Sequence, residues 1–242
     1  MLQINIKEVI QKYNSLEMVW DPKDKWHIIT HEMIGNFIHS GLQHIPTNHD
    51  MKILNAGSAG NNYGMETNDN LFQIDIAHKN LKANHNAIIG NIEMLPLRDK
   101  SFNLIICVGS VLNYCDPQLV LREFTRVLKL SGYIILEFES SYTFELLGRK
   151  SFNKGVTFVK TFYNGTQENI WYFSEKYIYN LFQVYGYSIL MRQKCHILSP
   201  LIYRITKNEN IAAKFARFDK LCLKIPIIEK FSSNTIILAK KL

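Results

Sequence analysis

The stretch Ile53-Leu54-Asn55-Ala56-Gly57-Ser58-Ala59-Gly60-Asn61 constrains this chain more than any other. A short apolar run leads into a cluster of small residues, which reads as a buried strand leaving its sheet through a tight turn where a ligand can approach the backbone. Glycines also serve ordinary turns, so the cofactor-loop reading depends on the strands downstream of the turn. A second apolar run, Leu71-Phe72-Gln73-Ile74-Asp75-Ile76, carries an acid near its end. In a nucleotide-type βαβ unit such an acid accepts hydrogen bonds from ribose hydroxyls, about 20 residues beyond the glycines. Gly60 to Asp75 spans only 15 residues. The first crossover is therefore expected to be a short or irregular helix, leaving Asn61-Asn62-Tyr63-Gly64 to cover the ligand.

Further strands are expected at 87–89, 104–108, 133–138, 187–195 and 234–239, with an amphipathic helix over 119–130 ended by Ser131-Gly132. Ser174 and Gly186 read as the cap and stop of another helix. Continuous apolar strands alternating with helices argue for a parallel sheet covered on both faces. Ahead of the first strand, helical periodicity over 4–13 and 26–42 predicts two helices broken at Trp20-Asp21-Pro22. Two extended segments, 156–163 and 168–173, flank Asn164-Gly165 and read as an inserted hairpin. Its aromatics Phe158, Phe162, Trp171 and Tyr172 would form either an apolar roof over a site or the insert's own core.

Composition narrows the function classes. Hydrophobic residues make up 47% of the 242, ample for one large unit. Lys plus Arg of 28 against Asp plus Glu of 21 leaves a net +7, which permits an acidic partner without demanding one. Between the last two strands, Lys214, Arg217, Lys220 and Lys224 interleave with Phe215, Phe218, Leu221 and Leu223, the pattern of a helical cap or of a helix lying on a membrane or partner. Cys107, Cys115, Cys195 and Cys222 lack Cys-x-x-Cys spacing, so reduced thiols are expected rather than disulfides or zinc. His27 and His31 lie four apart on the second helix without the further ligands that a zinc site needs, so no metal is expected. The charged N-terminus and the lack of a long apolar run lead to the expectation of a soluble, cytoplasmic protein with no transmembrane segment; peripheral membrane contact stays open.

The run Asn91-Ile92-Glu93-Met94-Leu95-Pro96-Leu97-Arg98-Asp99-Lys100-Ser101-Phe102-Asn103-Leu104-Ile105-Ile106, continued by Glu123-Phe124-Thr125-Arg126-Val127-Leu128-Lys129 and Gly132, resembles the class I S-adenosylmethionine-dependent methyltransferases of methyltransferase 11 type, small-molecule branch. The resemblance is clear over about 50–140. It implies an α/β, Rossmann-like fold: a seven-stranded, mostly parallel sheet with helices on both faces, an N-terminal helical lid and an inserted cap. Residues 1–242 would then form a single domain with a lid at 1–45, a cofactor-binding core at 46–140, a hairpin cap at 141–173, and the rest of the core at 174–242 with a helical insert at about 196–233.

The resemblance further implies S-adenosylmethionine as cofactor. The backbone at Gly57 and Ser58 would approach its methionine part, Asp75 its ribose, Ile76 and Ile92 the adenine ring and Asn91 the adenine amino group, with Gly109 and Ser110 bordering the transferable methyl. Asn55, Ala59 with Gly60, Asn91 and Asn103 depart from the family pattern, where acids or a glycine stand. Asparagine keeps an acceptor oxygen and loses the charge, so cofactor affinity is the property at stake.

Methyl transfer from a sulfonium needs alignment and dryness more than a triad. Candidate groups facing an acceptor are His27, His31, Tyr114 and Glu139, each of which would otherwise serve packing or solvation. The expected activity is transfer to an O or N atom of a small molecule or of a natural-product or peptide acceptor. The +7 charge favours an RNA methyltransferase, against which stands the lack of a contiguous basic tract. Asn55, Asn91 and Asn103 keep a non-catalytic binding or scaffold protein open. A nicotinamide dehydrogenase is disfavoured because Gly57, Gly60 and Gly64 do not form Gly-x-Gly-x-x-Gly.

Overall fold

The computed structural model of the protein describes residues 4–46, 50–81, 86–163 and 166–242. Two helices come first, α1 (Ile6–Ser15) and α2 (Lys25–Leu42), near the spans that periodicity predicts. Each opens on a side-chain cap. Asn5 accepts from the Lys7 N–H, and Asp24 from the N–H groups of Trp26 and His27, satisfying donors that a first turn leaves without partners.

Strands β1 (Ile53–Ala56), β2 (Leu71–Asp75), β3 (Ala87–Ile89), β4 (Phe102–Cys107) and β5 (Leu128–Glu139) are joined by parallel ladders. A hairpin of β6 (Val156–Tyr163) and β7 (Thr166–Phe173) stands apart from them, and its turn at Asn164-Gly165 lies outside the described residues. With β8 (Tyr187–Cys195) and β9 (Asn234–Lys241) the main sheet has seven strands in the order β3-β2-β1-β4-β5-β9-β8, with β9 antiparallel to both its neighbours. The fold is thus the expected Rossmann-like α/β sheet.

Strand alternation sorts the core into two layers. Ile105, Cys107, Ile134 and Leu136 pack under α3 (Pro117–Val127) and α4 (Glu175–Val184), against Phe124, Val127, Ile178 and Phe182. Leu104, Ile106, Ile135 and Leu238 face the other way, onto Ile34, Phe37 and Ile38 of α2. Helix α4 starts on Ser174, whose side chain accepts from Tyr177 N–H, and Gly186 follows it at φ +75°, as expected.

Two expectations are corrected. The first crossover contains no helix, because Asn61 and Asn62 turn the loop on themselves. The Asn61 side chain accepts from Tyr63 N–H at 2.7 Å, and that of Asn62 donates to the Met65 carbonyl at 2.8 Å, bonds that compete with a helical ladder. Helix α3 ends at Val127, not at Ser131-Gly132, which lie inside β5. Leu128 is fully buried and pairs with Phe102, drawing the chain into the sheet early, while Lys241 Nζ donates to the carbonyls of Thr125 and Leu128 at 2.6 and 2.9 Å and replaces the missing helical partners.

The Glu-x-x-Arg run on α3 has a structural role. Glu123 accepts from Leu95 N–H at 2.9 Å, and Arg126 pairs with Glu123 and Asp99 and donates to the carbonyls of Leu95 and Leu97, so the turn before β4 is stitched to the helix. Asn103 joins the same side of the sheet, accepting from Lys52 N–H at 3.1 Å and Lys129 Nζ at 2.9 Å.

Within the hairpin, Ile170 and Tyr172 join Val159 and Leu146 in a small core, whereas Trp171 projects to the other side, against Phe158 and the main core. The side chain of Phe162 lies outside the described residues. Between β8 and β9 the chain forms α5 (Leu198–Thr206), α6 (Glu209–Cys222) and α7 (Pro226–Glu229), with α6 packed on α5 and α2. Among the described residues, all four cysteines are free thiols, no helix is long and apolar enough to cross a membrane, and no group of three or more His, Cys, Asp and Glu side chains could hold a metal.

Candidate active site

Two cavities lie beside the carboxyl ends of the parallel strands, where ligands bind in open α/β sheets. The first is a cleft lined by Gly57, Ser58, Asp75, Ile76, Asn91 and Ile92, six residues that the sequence singles out, and α1 contributes Ile6, Val9 and Tyr13 to its wall. Gly57 has φ +71°, and a Cβ there would stand 2.4 Å from the Val111 side chain, so only glycine fits the turn. Ala59 takes the place expected of Gly60 in the lining. Gly60 answers a different need, since its Cβ position lies 2.2 Å from the Asn80 carbonyl oxygen.

Asp75 ends β2 with its Oδ2 accepting from Ala59 N–H and its Oδ1 from Ala77 N–H, both at 2.8 Å. Burial pushes its carboxyl above the ordinary range, and these N–H groups pull the other way. Asn91 accepts from Glu93 N–H at 2.9 Å, shaping the turn after β3. Asn55 does not line the cleft. It is buried beneath the loop, where its Nδ2 donates to the Asn61 carbonyl at 2.6 Å. His31 braces the same loop, with Nε2 2.8 Å from Asn61 Nδ2 and its ring stacked on Tyr63, and lines neither cavity.

The second cavity adjoins the first through shared walls, Tyr13, Trp20, Gly109 and Tyr114 among them. It collects His27, Ser110, Tyr114 and Glu139, together with Glu137, Glu145, Glu168, Tyr172 and His196. The Tyr114 hydroxyl donates a hydrogen bond to Glu168, which also pairs with Lys12, so α1 is tied to the hairpin across the cavity. His27 pairs through Nδ1 with Asp24 at the cap of α2. Asn113 holds the turn that presents Tyr114, accepting from Glu139 N–H at 3.0 Å and donating to the Trp171 carbonyl.

Burial shifts several titratable groups here, Glu139, Glu137 and His196 among them. Burial raises the Glu139 carboxyl to about 7, hydrogen bonds from Tyr172 and Ser110 oppose the rise, and the charges of Glu145 and Glu137 add to it. Glu137 is also raised by burial, although it accepts from Ser110 N–H and from the Asn234 amide, both at 2.5 Å. His196, stacked on Trp26 and 3.0 Å from Thr30 Oγ1, is lowered by burial to about 4 and is neutral near pH 7.

Lys12, Glu137, Glu145, Glu168 and His196 are absent from the sequence expectations. Glu137 had a visible signal, an acid inside an otherwise apolar strand, and Lys12 and Glu168 had none, because their pairing spans 156 positions.

Residues 52–136 match the family model described as "Methyltransferase domain". Uncharacterized protein MJ0638 of Methanocaldococcus jannaschii is 28% identical over 141 residues, 54% of this chain and 60% of that protein. The matched segments span between 24% and 60% of the curated relatives' own lengths. Among solved structures, PH0226 of Pyrococcus horikoshii superposes with a TM-score of 0.59 at 13% identity, covering 96% of this chain and 99% of that one. A 1,6-didemethyltoxoflavin-N1-methyltransferase of Burkholderia thailandensis, with bound 1,6-didemethyltoxoflavin and S-adenosylhomocysteine, gives 0.57 at 10% identity over 97% and 86% of the chains. Identities this low speak to fold, and the family model speaks to the strands and turns that build the cleft. Residues 52–136 thus match a methyltransferase domain, and the sheet order with these superpositions shows that the chain shares the fold of S-adenosylmethionine-dependent methyltransferases.

Proposed function

We propose that this protein transfers a methyl group from S-adenosylmethionine to an O or N atom of a small molecule or of a natural-product or peptide acceptor. The observation that carries the reading is the junction of the two cavities at Gly109, Tyr13, Trp20 and Tyr114. Residues of the cleft suit the cofactor. The Asp75 carboxylate accepts the N–H groups of Ala59 and Ala77 on different oxygens and, with about four acceptor sites in all, has capacity left for a ribose hydroxyl. Ile76 and Ile92 offer apolar contact for the adenine ring, Asn91 a polar edge for its amino group, and Gly57 and Ser58 the backbone for the methionine part. Asn55 and Gly60 then act by shaping the loop. Residues 1–45 serve as a lid over the cleft and 141–173 as a cap over the acceptor.

S-adenosylmethionine supplies a methyl carbon already activated by its sulfonium. The chain's tasks are to align the acceptor, exclude water and remove a proton where the nucleophile carries one. Glu139 bonds Ser110, beside the shared Gly109, and is the carboxylate best placed for the last task. Four glutamates in the wall repel a phosphate backbone, which favours a small acceptor over RNA.

Calorimetric titration with S-adenosylmethionine and S-adenosylhomocysteine tests the reading. Binding is expected, and Asp75→Ala weakens it by about 1 to 3 kcal/mol, the cost of leaving hydroxyl partners unsatisfied. Affinity should also fall as pH drops through the Asp75 pKa, at a pH above that of an ordinary aspartate, because the ionised form is the double acceptor. A folded wild type that binds neither molecule overturns the proposal.

A further inference from the structure

Helix α6 faces inward with Ala212, Ala213 and Asp219, all buried. Asp219 accepts from Leu198 N–H at 2.7 Å and from Ser199 Oγ at 2.9 Å, so α6 is locked to α5 in one rotational setting. That setting turns Ile211, Phe215 and Phe218 outward at helical spacing, with Leu221 beside them. Ile205 of α5, Ile225 and Ile227 extend the apolar surface, and these seven side chains are 36 to 74% exposed. Lys207, Lys214, Arg217, Lys220, Lys224 and Lys230 are exposed around them. Residues 198–230 hold seven Lys and Arg against three Asp and Glu, a large share of the chain's net +7.

We propose that the α5–α7 segment docks this protein on the surface of a bilayer that carries anionic phospholipid. An amphipathic helix with a basic flank buries its apolar face at the headgroup boundary while its cations meet the lipid phosphates. Both halves of that match are present. Exposed isoleucines and leucines gain nothing from a nucleic-acid backbone, and a second copy of the same face would set six cations against six. Pro200 and Tyr203 of α5 also line the second cavity, so the docking surface and that cavity share a helix. Membrane docking of this segment is independent of methyl transfer.

Vesicle flotation with the full chain tests it, using phosphatidylcholine alone and an equimolar mixture with phosphatidylglycerol. The wild type is expected to prefer mixed vesicles by at least about tenfold, since each basic side chain near an anionic surface adds about fivefold. Lys214→Glu with Arg217→Glu and Lys220→Glu erases the preference. Phe215→Ser with Phe218→Ser lowers partition by at least about tenfold. If that pair fails to fold, Leu221→Ser with Ile227→Ser, at 61 and 74% exposure, makes the same test. A wild type that floats with neither vesicle overturns the proposal. So does salt-sensitive binding of single-stranded RNA without flotation, or a dimer that the Phe pair dissociates while vesicles are ignored.

Discussion

Glu139→Gln lowers methyl-transfer turnover by about two to three orders of magnitude, the usual contribution of a positioned proton acceptor. The substitution keeps size and one acceptor oxygen, so affinity for S-adenosylmethionine stays within about threefold of wild type. Wild-type turnover should rise with pH to a plateau above about 7, where Glu139 is ionised, and the variant should lack that limb. Release of S-adenosylhomocysteine in the presence of an accepted substrate reads both effects. A second readout needs no acceptor. Between an ordinary glutamate pKa and about 7, the folded protein holds a proton that the unfolded chain has released, so wild-type stability declines as pH rises through this window. Glu139→Gln removes the decline and is more stable at pH 8 by about 1 to 3 kcal/mol. Unchanged turnover with a flattened stability curve would assign Glu139 to the wall and turn attention to His27, another side chain of the sequence-predicted set in that cavity, held by Asp24.

The order of strands was legible because each is a short apolar run between turn residues, and Leu71 to Asp75 and Tyr187 to Cys195 fall where the pattern puts them. Asp75, Ile76, Asn91 and Ile92 were legible for a related reason: sheet topology brings successive strand ends together, so their neighbourhood follows from local pattern. Boundaries failed where tertiary contacts decide. Leu128 to Leu130 reads as helix until its pairing with Phe102 and the ammonium of Lys241 are known. The second cavity was barely legible. Lys12, Tyr114 and Glu168 come from three distant segments, and alternation in the hairpin, invisible in composition, turns Tyr172 toward the cavity and Trp171 away. His31 sits one turn from His27 yet serves the loop rather than the cavity, a difference set by Asn61 and Tyr63.

Glu137→Ala destabilises the protein by about 2 to 4 kcal/mol and, by the same lesion, lowers kcat/KM by at least about tenfold. Glu137 lies inside β5, paired with Ile236, and is fully covered. Its two oxygens hold the Ser110 N–H and the Asn234 amide, joining the turn after β4 to the start of β9. That turn is conformationally costly, since Gly109 and Ser110 both have positive φ, +80° and +59°. Alanine leaves two buried donors without acceptors and releases the segment that separates the cavities. Glutamine is the informative partner variant. Its oxygen accepts from Ser110, and its amide donates to a flipped Asn234 carbonyl, so most of the network survives. Because burial raises the Glu137 pKa, wild-type stability falls as pH rises from the ordinary carboxylate range through that pKa, and Glu137→Gln escapes this loss. Urea denaturation at acidic and neutral pH should therefore rank glutamine at or above wild type near pH 8, with alanine well below both. Activity should follow the same order for alanine and glutamine, because what Glu137 supplies to the reaction is the position of Gly109 and Ser110. An alanine variant that unfolds at the wild-type midpoint would show that the turn holds its shape without Glu137.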